Sequence, residues 1–509
     1  MKIVPLPLHL EPREGRLDLL DSAFNYSEEL ANAAALFQDF LKKETGISLR
    51  KEKFAKFNFL LDFSLQREEY RLEISENTLT LSAKSDQGAL HGVRTLQQLL
   101  EYDGGRFYFP AVYIEDAPHF PYRGFMLDIA RHFFSKRTIM RLIELASLHK
   151  LNFFHLHLSD DQGFRFESEK FPRLTEVGST RRGTILKDGT VDGVPHSGYL
   201  TKADLKEIVA YAERLHIEVI PEIDMPGHMN AVLAAYPELL CEGIKEEIEV
   251  RPAWGISKNI LCAGNEKTYS LLEELLAEII EVFPCRYIHL GGDEAPKANW
   301  KKCPRCQEKI RKEGLKDEEA LQAHFLNHFS KFLEGKGKTV IAWNDGLHPD
   351  LDPDIIIEHW KPGTRRKTVK AVNSGRKVVM SDFLHLYLDY PYAMTPLAKT
   401  YGFNPLEGVE KPENILGIEA NLWTEWVATP EKIEFQVFPR LAAAAEVGWT
   451  APELKDYDNF LSRLERLYAI YQKKGVNYAR GKEKKPNILK RIAGTRRWLR
   501  DENAEFREN

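Results

Sequence analysis

Long apolar runs are missing from this sequence, and none reaches the roughly 18 residues that a membrane-spanning helix needs. The first residues are interrupted by Pro5 and Pro7 and are soon followed by Glu11 and Arg13, so they lack the continuous apolar region of a secretory signal. We therefore expect a cytoplasmic protein without a membrane partner, although a signal removed before the first residue would leave no trace.

Cysteine is scarce, and the odd total of five argues against a secreted disulfide framework. Cys303-Pro-Arg-Cys306 is the one close pair, and a zinc site would need two further ligands nearby. A glycine-rich phosphate loop is also missing. We accordingly expect neither a metal ion nor a cofactor, and the sequence assigns Cys303 and Cys306 no role.

An excess of charge of either sign is lacking too. The 71 Lys and Arg residues nearly balance the 76 Asp and Glu residues, so the chain as a whole offers no electrostatic footprint for nucleic acid. Hydrophobic residues make up 43% and charged residues 29%, as in ordinary folded globular proteins. A length of 509 residues predicts a large body with one or two smaller units.

The patterns change twice along the chain. Residues 1–118 predict a small α+β domain, which ends near a cluster of prolines. Its predicted elements are helices at Leu30–Leu41 and Gln87–Leu100, an extended Phe57–Phe63, and a hairpin of Tyr70–Ile74 with Leu79–Leu81. Residues 451–509 predict a helical extension with a helix at Leu461–Tyr471. The basic segment Lys482–Arg500 is more typical of a solvated helix face than of a binding tail.

Residues 119–450 alternate between short apolar runs and helical segments, which predicts a parallel sheet. The runs are Gly124–Asp128, Phe153–Leu158, Ile217–Asp224, Arg286–Gly292, Thr339–Trp343, Ile355–Trp360, Lys377–Ser381 and Ile415–Leu422. Amphipathic stretches follow at Lys136–His149, Lys202–Leu215, Lys267–Phe283, Glu318–Leu333 and Glu431–Val447. Eight such units predict a closed (β/α)₈ barrel, irregular after strands five and seven, where the helices are poorly marked.

Polar and aromatic residues follow each predicted strand, at the end where such a barrel carries its active site. In strand order they are Arg131 and His132; Asp160 and Asp161; Asp224 and His228; Asp293 and Glu294; Trp343; Trp360; Tyr387 and Asp389; and Trp423 and Glu425. Taken singly, a tryptophan at a strand end usually packs, and an Asp-Asp pair usually caps a helix or ends a turn. Their coincidence at all eight strand ends predicts one functional site.

The residue types of this set describe a sugar site. Aromatic rings stack on the apolar faces of pyranoses, and carboxylates accept hydrogen bonds from hydroxyls. Glycoside hydrolysis then needs an acid for the leaving oxygen and a nucleophile or base. Asp293 and Glu294 are neighbours, however, and successive residues of an extended strand point to opposite sides. The pair is therefore poorly placed to flank one bond, and another group must attack.

At these residues the sequence resembles glycoside hydrolase family 20. His289-Leu-Gly-Gly-Asp-Glu294 is similar to the His-X-Gly-Gly-Asp-Glu signature of that family. Other blocks resemble the family in the same order: Leu127-Asp-Ile-Ala-Arg-His-Phe133, His155-Leu-His-Leu-Ser-Asp-Asp-Gln162, Pro221-Glu-Ile-Asp-Met-Pro-Gly-His228 and Glu419-Ala-Asn-Leu-Trp-Thr-Glu425. The resemblance covers the barrel, and the N-terminal unit resembles the small domain that precedes it in the family.

The resemblance implies a retaining, exo-acting β-N-acetylhexosaminidase in which the 2-acetamido oxygen of the substrate attacks and forms an oxazolinium ion. It further implies Glu294 as general acid and base, Asp293 as the ionised partner of the acetamido N–H, and His228 with Asp160 as a relay that tunes Glu294. The expected sugar contacts are Tyr387 on the acetamido oxygen, walls of Trp343, Trp360 and Trp423, and Arg131, Glu425 and Asp389 on the hydroxyls.

Two alternative functions stay open. A sugar-binding barrel without catalysis would lack Glu294, Asp293 or Tyr387, and all three are present. A relative that releases a disaccharide would have a pocket open at its far end, whereas Arg131 and Glu425 favour closure. The expected substrate is a small molecule or oligosaccharide that ends in N-acetylhexosamine. The choice between gluco and galacto epimers stays open, as does the oligomeric state, for which a homodimer is the commonest symmetric assembly.

Overall fold

The computed structural model describes residues 1–19, 22–481 and 488–501. Eight parallel strands form a closed barrel in which each strand pairs with the next along the chain and the eighth pairs with the first. Barrel strands 1 to 8 are Tyr122–Asp128, Phe153–His157, Glu218–Glu222, Tyr287–His289, Thr339–Trp343, Ile356–His359, Val378–Met380 and Ile415–Leu422. The predicted (β/α)₈ barrel is therefore confirmed.

Long helices follow the first four strands, as the apolar periodicity predicts. They are Lys136–Leu148, Lys202–Arg214, Glu266–Val282 and Glu318–Glu334. Each one begins after a residue whose side chain accepts a hydrogen bond from the first turn: Ser135, Thr201, Asn265 and Asp317. The sequence thus specifies both the buried face and the start of each helix.

The barrel is irregular where the helical pattern is weak. Strand 5 is followed by a single 3-10 turn, Asn344–Gly346, and strand 7 by the short helices Phe383–Leu386 and Leu397–Tyr401 and the 3-10 turn Pro412–Asn414. The helix after strand 6, Arg365–Asn373, was not predicted, because it buries little apolar surface. The prediction of one helix at Glu431–Val447 is wrong. Pro430–Val437 and Arg440–Trp449 are separate helices, since Pro439 lacks the N–H that a continuous helix needs.

The remaining elements are short, apart from one helix. They are the helices Arg173–Glu176, Asn230–Ala235, Ala298–Lys302 and Pro304–Lys312, the 3-10 turns Glu28–Leu30, Pro237–Leu239 and Pro452–Leu454, the hairpins Ser159–Asp160 with Gly163–Phe164 and Thr180–Arg181 with His196–Ser197, and the long helix Tyr457–Lys473. Tyr457–Lys473 contains the helix predicted at Leu461–Tyr471.

An N-terminal sheet packs against the helices Ala31–Thr45 and Asp86–Leu99, which overlap the two predicted there at Leu30–Leu41 and Gln87–Leu100. Its strands are His9–Asp18, Ala23–Tyr26, Arg50–Lys51, Phe57–Leu61, Tyr70–Ile74, Leu79–Ala83, Glu101–Tyr102 and Phe107–Asp116. The predicted hairpin is present as an antiparallel pair. Trp449 reaches from the barrel into the core of this sheet, and its Nε1 donates to Asp116 at 2.8 Å.

The barrel interior is filled in layers, because alternate residues of each strand point inward. The layer at the N-terminal ends is apolar and consists of Tyr122, Phe153, Ile220, Cys285, Tyr287, Ile341, Ile356 and Val379. The next layer is charged: His155 and His289 both contact Glu222, and His155 also contacts Glu419. The polar residues after the strands lie on top of this charged layer.

Four cysteines lie together in the structure. Cys241 and Cys262 belong to the connection after barrel strand 3, and Cys303 and Cys306 to the connection after strand 4. All four are buried, and their sulfur atoms lie within 4.8 Å of one another. The two further ligands that a zinc site at Cys303 and Cys306 would need are therefore present in space, although not in the nearby sequence. Neighbouring strands of the barrel bring distant parts of the sequence together.

The last described helix, Ile488–Trp498, covers part of the predicted basic segment Lys482–Arg500, whose first residues, 482–487, lie outside the described residues. Its charged residues are mostly solvated, as predicted, while Trp498 is buried against the barrel. Among the described residues, none of the helices combines the length and the apolar character required to cross a lipid bilayer.

Candidate active site

Asp293 and Glu294 lie on a turn that two glycines make possible. Gly291 and Gly292 have positive φ angles of 65° and 94°, and Glu294 itself has a φ of 43°. A Cβ atom on Gly291 would lie 1.8 Å from an oxygen of Asp224, so the close approach of these segments requires glycine. A glutamate held in the left-handed region is uncommon and costs free energy, as is often found at functional sites.

His228 faces both carboxylates. Its Nε2 atom lies 3.6 Å from Glu294 and 4.0 Å from Asp293, while Nδ1 lies 3.2 Å from Asp160. Burial disfavours the imidazolium form, but the charge and hydrogen bond of Asp160 outweigh it and raise the pKa of His228 well above its ordinary value. Because one nitrogen lies near both carboxylates, Asp293 and Glu294 face the site from the same side. The expectation that they point to opposite sides is wrong, because barrel strand 4 ends at His289 and both residues lie on the turn after it.

The pKa values of the two carboxylates have the opposite order to the expected one. Burial raises the pKa of Asp293 to about 6, although His228 and a hydrogen bond with Asp224 act against it. The hydrogen bond and charge of His228 lower the pKa of Glu294. In the protein by itself, the proton is held by His228, and Glu294 is the stronger acid of the two carboxyls.

Asp224 lies at the rim, as the sequence predicts, and the structure shows what it contacts there. It is fully buried, accepts a hydrogen bond from the Gly292 N–H at 2.9 Å and shares a hydrogen bond with Asp293. Burial, and next the charge of Asp293, raise the pKa of Asp224 well above its ordinary value. Asp224 therefore stays protonated, and its O–H donates a hydrogen bond to the Asp293 carboxylate.

Arg131 is fixed at the opposite wall by two carboxylates. Asp160 lies 2.7 Å and Asp128 3.6 Å from its guanidinium group, which also lies 4.8 Å from the Trp423 ring. Asp389 and Glu425 belong to the same pocket. Burial and then the nearby Glu425 raise the pKa of Asp389 well above its ordinary value. This wall offers several hydrogen-bonding groups to one polar ligand.

Aromatic rings form the remaining walls. Trp360 stacks on Tyr387 with ring centroids 6.2 Å apart, and Trp423 lies 6.2 Å from Tyr387 and 5.9 Å from Trp343. Trp343 is fully buried, its Nε1 donates to Glu222 at 2.8 Å, and its ring packs against Trp423, so it supports the pocket from beneath and does not itself line it. The structure thus brings all the residues proposed from the sequence into one region.

Sequence reasoning missed an outer group of rings, which we call the aromatic rim: Trp254, Tyr390, Trp426 and Trp498. The Nζ of Lys187 lies 3.7 Å from the ring centroid of Trp498 and 5.0 Å from that of Trp426. Trp498 does not directly follow a barrel strand, so its place in the sequence does not indicate that it belongs to the site. Only the docking of the last helix brings it to the pocket.

His157 and Glu222 were also missed, although both lie within the quoted sequence blocks. His157 connects Glu222 to Asp160, from which its Nε2 lies 3.2 Å. Burial lowers the pKa of His157, but these carboxylates raise it, and the resulting pKa is about 9. Asp160 consequently contacts three positive groups, and its pKa lies well below the ordinary range despite burial. The sequence signal that could have identified them is strand alternation, because every second residue of a barrel strand faces inward.

Several buried polar atoms of the pocket have no hydrogen-bonding partner within the described chain: Arg131 Nε, Asp293 Oδ1, Trp360 Nε1 and Asp389 Oδ1. Buried polar atoms without partners are rare in folded proteins. Their concentration at one pocket indicates that a polar ligand supplies the missing hydrogen bonds.

Comparisons with known proteins agree with this geometry. The catalytic-domain model of glycosyl hydrolase family 20 matches residues 120–452, and the model of domain 2 of that family matches residues 1–117. A β-hexosaminidase of Porphyromonas gingivalis is 36% identical over 94% of this chain, which spans 64% of that relative's length.

Solved structures give the same result. An exo β-N-acetylglucosaminidase from Vibrio harveyi, in complex with N-acetylglucosamine, has a TM-score of 0.86 at 31% identity, with 94% of this chain and 78% of that chain covered. A β-N-acetylhexosaminidase from Bacteroides fragilis has a TM-score of 0.83 at 32% identity, with 94% and 96% covered. The fold of this chain is similar to that of both enzymes, and about a third of the aligned residues are identical.

Proposed function

The chain belongs to glycosyl hydrolase family 20 and its barrel is that of a β-N-acetylhexosaminidase, and from this premise we propose that it cleaves by substrate-assisted catalysis. It removes one terminal, non-reducing, β-linked N-acetylhexosamine with retention of configuration. The observation that carries this proposal is the contact of both Asp293 and Glu294 with the same His228 nitrogen. Two carboxylates on one side of a sugar cannot serve as opposed acid and nucleophile.

In the first step, Glu294 gives its proton to the glycosidic oxygen as the bond from that oxygen to C1 breaks. The acetamido oxygen of the substrate attacks C1 and forms the cyclic oxazolinium ion. Asp293 accepts the acetamido N–H and balances the positive charge, and Tyr387 donates to the acetamido oxygen. In the second step, the Glu294 carboxylate takes a proton from water as the water oxygen attacks C1, which opens the ring and restores the acetamido group.

The proton that Glu294 needs is stored on His228. Transfer from Nε2 to Glu294 over 3.6 Å converts the ion pair into a neutral pair without any net uptake of protons. A bound sugar excludes water from Glu294, and desolvation favours the neutral pair. The acetamido N–H simultaneously stabilises the charged form of Asp293 and lowers its pKa. Substrate binding thus restores the order of pKa values that the reaction requires.

The aromatic side chains around Tyr387 explain how the acetamido group of the substrate is held in position to attack. Trp360 and Trp423 contact Tyr387, and Trp343 packs against Trp423 from beneath. A pocket of this kind folds the acetamido group beneath the sugar ring. Positioning a nucleophile inside the substrate avoids the entropic cost of bringing two molecules together. At the other wall, Arg131, Glu425 and Asp389 bind the hydroxyls, which closes the pocket around a single sugar.

The test compares an aryl N-acetyl-β-glucosaminide with the matching β-glucoside, which lacks the internal nucleophile. We expect kcat/KM for the glucoside to be lower by on the order of 10⁴-fold or more. Proton NMR of the first product should show the β-anomer. Comparable turnover of the glucoside, or an α-anomer as first product, would exclude the mechanism.

A second test concerns the acid. Glu294→Gln should lower kcat by roughly 10²- to 10⁴-fold, with the smaller loss for aryl groups that leave without protonation. Glu465→Gln, at a side chain that is 66% exposed, serves as the control and should retain full activity. Equal losses for good and poor leaving groups would contradict the role of Glu294 as the acid.

Substrate range, location and assembly stay predictions. Both gluco and galacto epimers can present a 4-hydroxyl to Arg131 and Glu425, so a matched N-acetyl-β-galactosaminide tests the preference directly. The cytoplasmic location and the homodimer remain expectations from the sequence. Cell fractionation and light scattering of the purified chain would test them.

A further inference from the structure

The four buried cysteines have the spacing of a metal-binding tetrahedron. Cys262 Sγ lies 3.7 Å from Cys303 Sγ and 3.6 Å from Cys306 Sγ, and Cys241 Sγ lies 3.8 Å from Cys306 Sγ. Four thiolates at about 2.3 Å from a tetrahedral Zn²⁺ are separated from one another by about 3.8 Å. These three distances therefore match three edges of such a tetrahedron, and all four sulfur atoms lie within 4.8 Å of one another.

Neither disulfide bonding nor simple packing accounts for this geometry as well. A disulfide holds its sulfur atoms about 2.05 Å apart, far closer than any of these pairs. A buried cysteine often behaves simply as a small apolar side chain, as Cys285 does in the floor of the barrel. Ordinary packing, however, does not require four sulfur atoms from two separate connections to converge on one point.

The backbone around the sulfur atoms is shaped for this convergence. Cys303-Pro-Arg-Cys306 forms the start of the helix Pro304–Lys312, and the spacing of its thiols is typical of one half of a zinc site. A Cβ on Gly264 would lie 2.2 Å from the Arg305 carbonyl carbon, so only glycine allows the two connections to approach this closely. The Gly264 N–H also donates a hydrogen bond to the Cys262 sulfur, as in the outer shell of metal sites.

We infer that Cys241, Cys262, Cys303 and Cys306 bind one Zn²⁺ ion as a structural site. Binding displaces the thiol protons to solvent, and the four thiolates fill the tetrahedral coordination, which leaves no position for water or substrate. The ion therefore takes no part in the glycosidase reaction. The expected reducing environment of the cytoplasm favours such a site over disulfides.

The consequence of the site is to fasten the two connections that carry the catalytic groups. The connection after strand 3 contains His228, and that after strand 4 begins with Asp293 and Glu294. Within the first connection, Leu261 N donates to Pro226 O at 3.0 Å, close to His228 in the sequence. Trp300 Nε1, from the second connection, donates to Leu261 O at 2.9 Å and so joins the two connections. A zinc ion bound beside Leu261 would thus hold the two connections together and keep His228 and Glu294 at a constant separation.

The test measures metal in the full chain purified without chelators from medium that contains zinc. Mass spectrometry of the elements should find close to one zinc per chain. After exchange with Co²⁺, the visible spectrum should show the bands of tetrahedral thiolate coordination. Neither measurement depends on glycosidase activity, so the result is independent of the proposed mechanism.

Variants supply the control. Cys241→Ser and Cys303→Ser should lose the metal and melt at a lower temperature, whereas Cys285→Ser should retain one zinc because it lies outside the cluster. Wild-type chain that is folded but free of metal would overturn the inference, whether its cysteines are free thiols or disulfides. Iron with acid-labile sulfide would equally overturn the assignment of zinc.

Discussion

Opposing physical effects act on the pKa of Asp293. Burial disfavours its charge, whereas His228 and the proton of Asp224 favour it, and the pKa that results is about 6. The carboxylate that we propose accepts a hydrogen bond from the acetamido N–H is thus mostly ionised at neutral pH but loses its charge in mild acid. The activity should therefore be sensitive to pH on the acid side.

We predict that kcat/KM falls as the pH drops through about 6, because protonated Asp293 no longer accepts the acetamido N–H. The measurement is the pH profile of kcat/KM with an aryl N-acetyl-β-glucosaminide. Asp293→Asn should be far less active and should lack this acid limb. A limb near the ordinary Asp value of about 4 would argue against the prediction.

Gly291 sets the position of the catalytic turn. We predict that Gly291→Ala abolishes activity, because the new Cβ would meet Asp224 at 1.8 Å and the φ of 65° disfavours any side chain. Gly363→Ala is the matched control, since Gly363 has a φ of 77° and no atom within 4 Å of an added Cβ. The control should cost about 1 kcal/mol of stability and leave kcat intact. An active Gly291→Ala enzyme would show that the close approach to Asp224 is not required.

At the scale of elements, the site depends on segments that the barrel strands do not define. The helix Ile488–Trp498 contributes Trp498 to the aromatic rim, where its ring lies 6.0 Å from that of Tyr390. If Arg131, Asp389 and Glu425 hold the terminal sugar, the rim is available to the next one. Aromatic faces are suited to stacking on that sugar.

We predict that Trp498→Ala raises KM for a β-linked N-acetylated disaccharide more than for an aryl monosaccharide, with kcat little changed. Leu499→Ala serves as the control, because Leu499 directly follows this helix and is 61% exposed. Steady-state kinetics on both substrates provides the measurement. An equal effect on the two substrates would show that Trp498 acts only by supporting the fold.

At the scale of the whole molecule, the N-terminal domain and the barrel share a buried polar contact. Lys150 and Asp116 form a fully buried ion pair at 2.7 Å, and Trp449 donates to the other oxygen of the same carboxylate. Burial lowers the pKa of Lys150, and the ion pair with Asp116 opposes that effect by stabilising the charged form of the lysine.

We predict that Asp116→Ala lowers the free energy of unfolding by about 3–5 kcal/mol, because it leaves the buried Lys150 charge without a carboxylate partner and with only the Tyr70 hydroxyl to accept from it. Glu73→Ala, which removes an exposed ion pair with Arg13, should change it by less than about 1 kcal/mol. Denaturant unfolding followed by circular dichroism provides the comparison. The double variant with Lys150→Met should recover stability, and failure to recover it would point to Trp449 as the more important partner.

Much of the fold could be predicted from the sequence because it depends on local patterns. The eight apolar runs and the helix periodicity were sufficient for the barrel, and the polar residues after each run were sufficient to locate the pocket. The predictions failed where the pattern was weak or interrupted. Arg365–Asn373 buries almost no apolar surface, and Pro439 divides a continuous apolar pattern into two helices.

The sequence by itself determined the barrel, the polar and aromatic residues that directly follow its strands, and the family signature, because strand alternation and residue type are local properties. Only the tertiary structure decided the pKa order of Asp293 and Glu294, since burial and neighbouring charges depend on distances in space. It also brought Trp498 to the pocket and joined Cys241 and Cys262 to Cys303 and Cys306. Contacts between residues far apart in the chain arise only when the barrel closes.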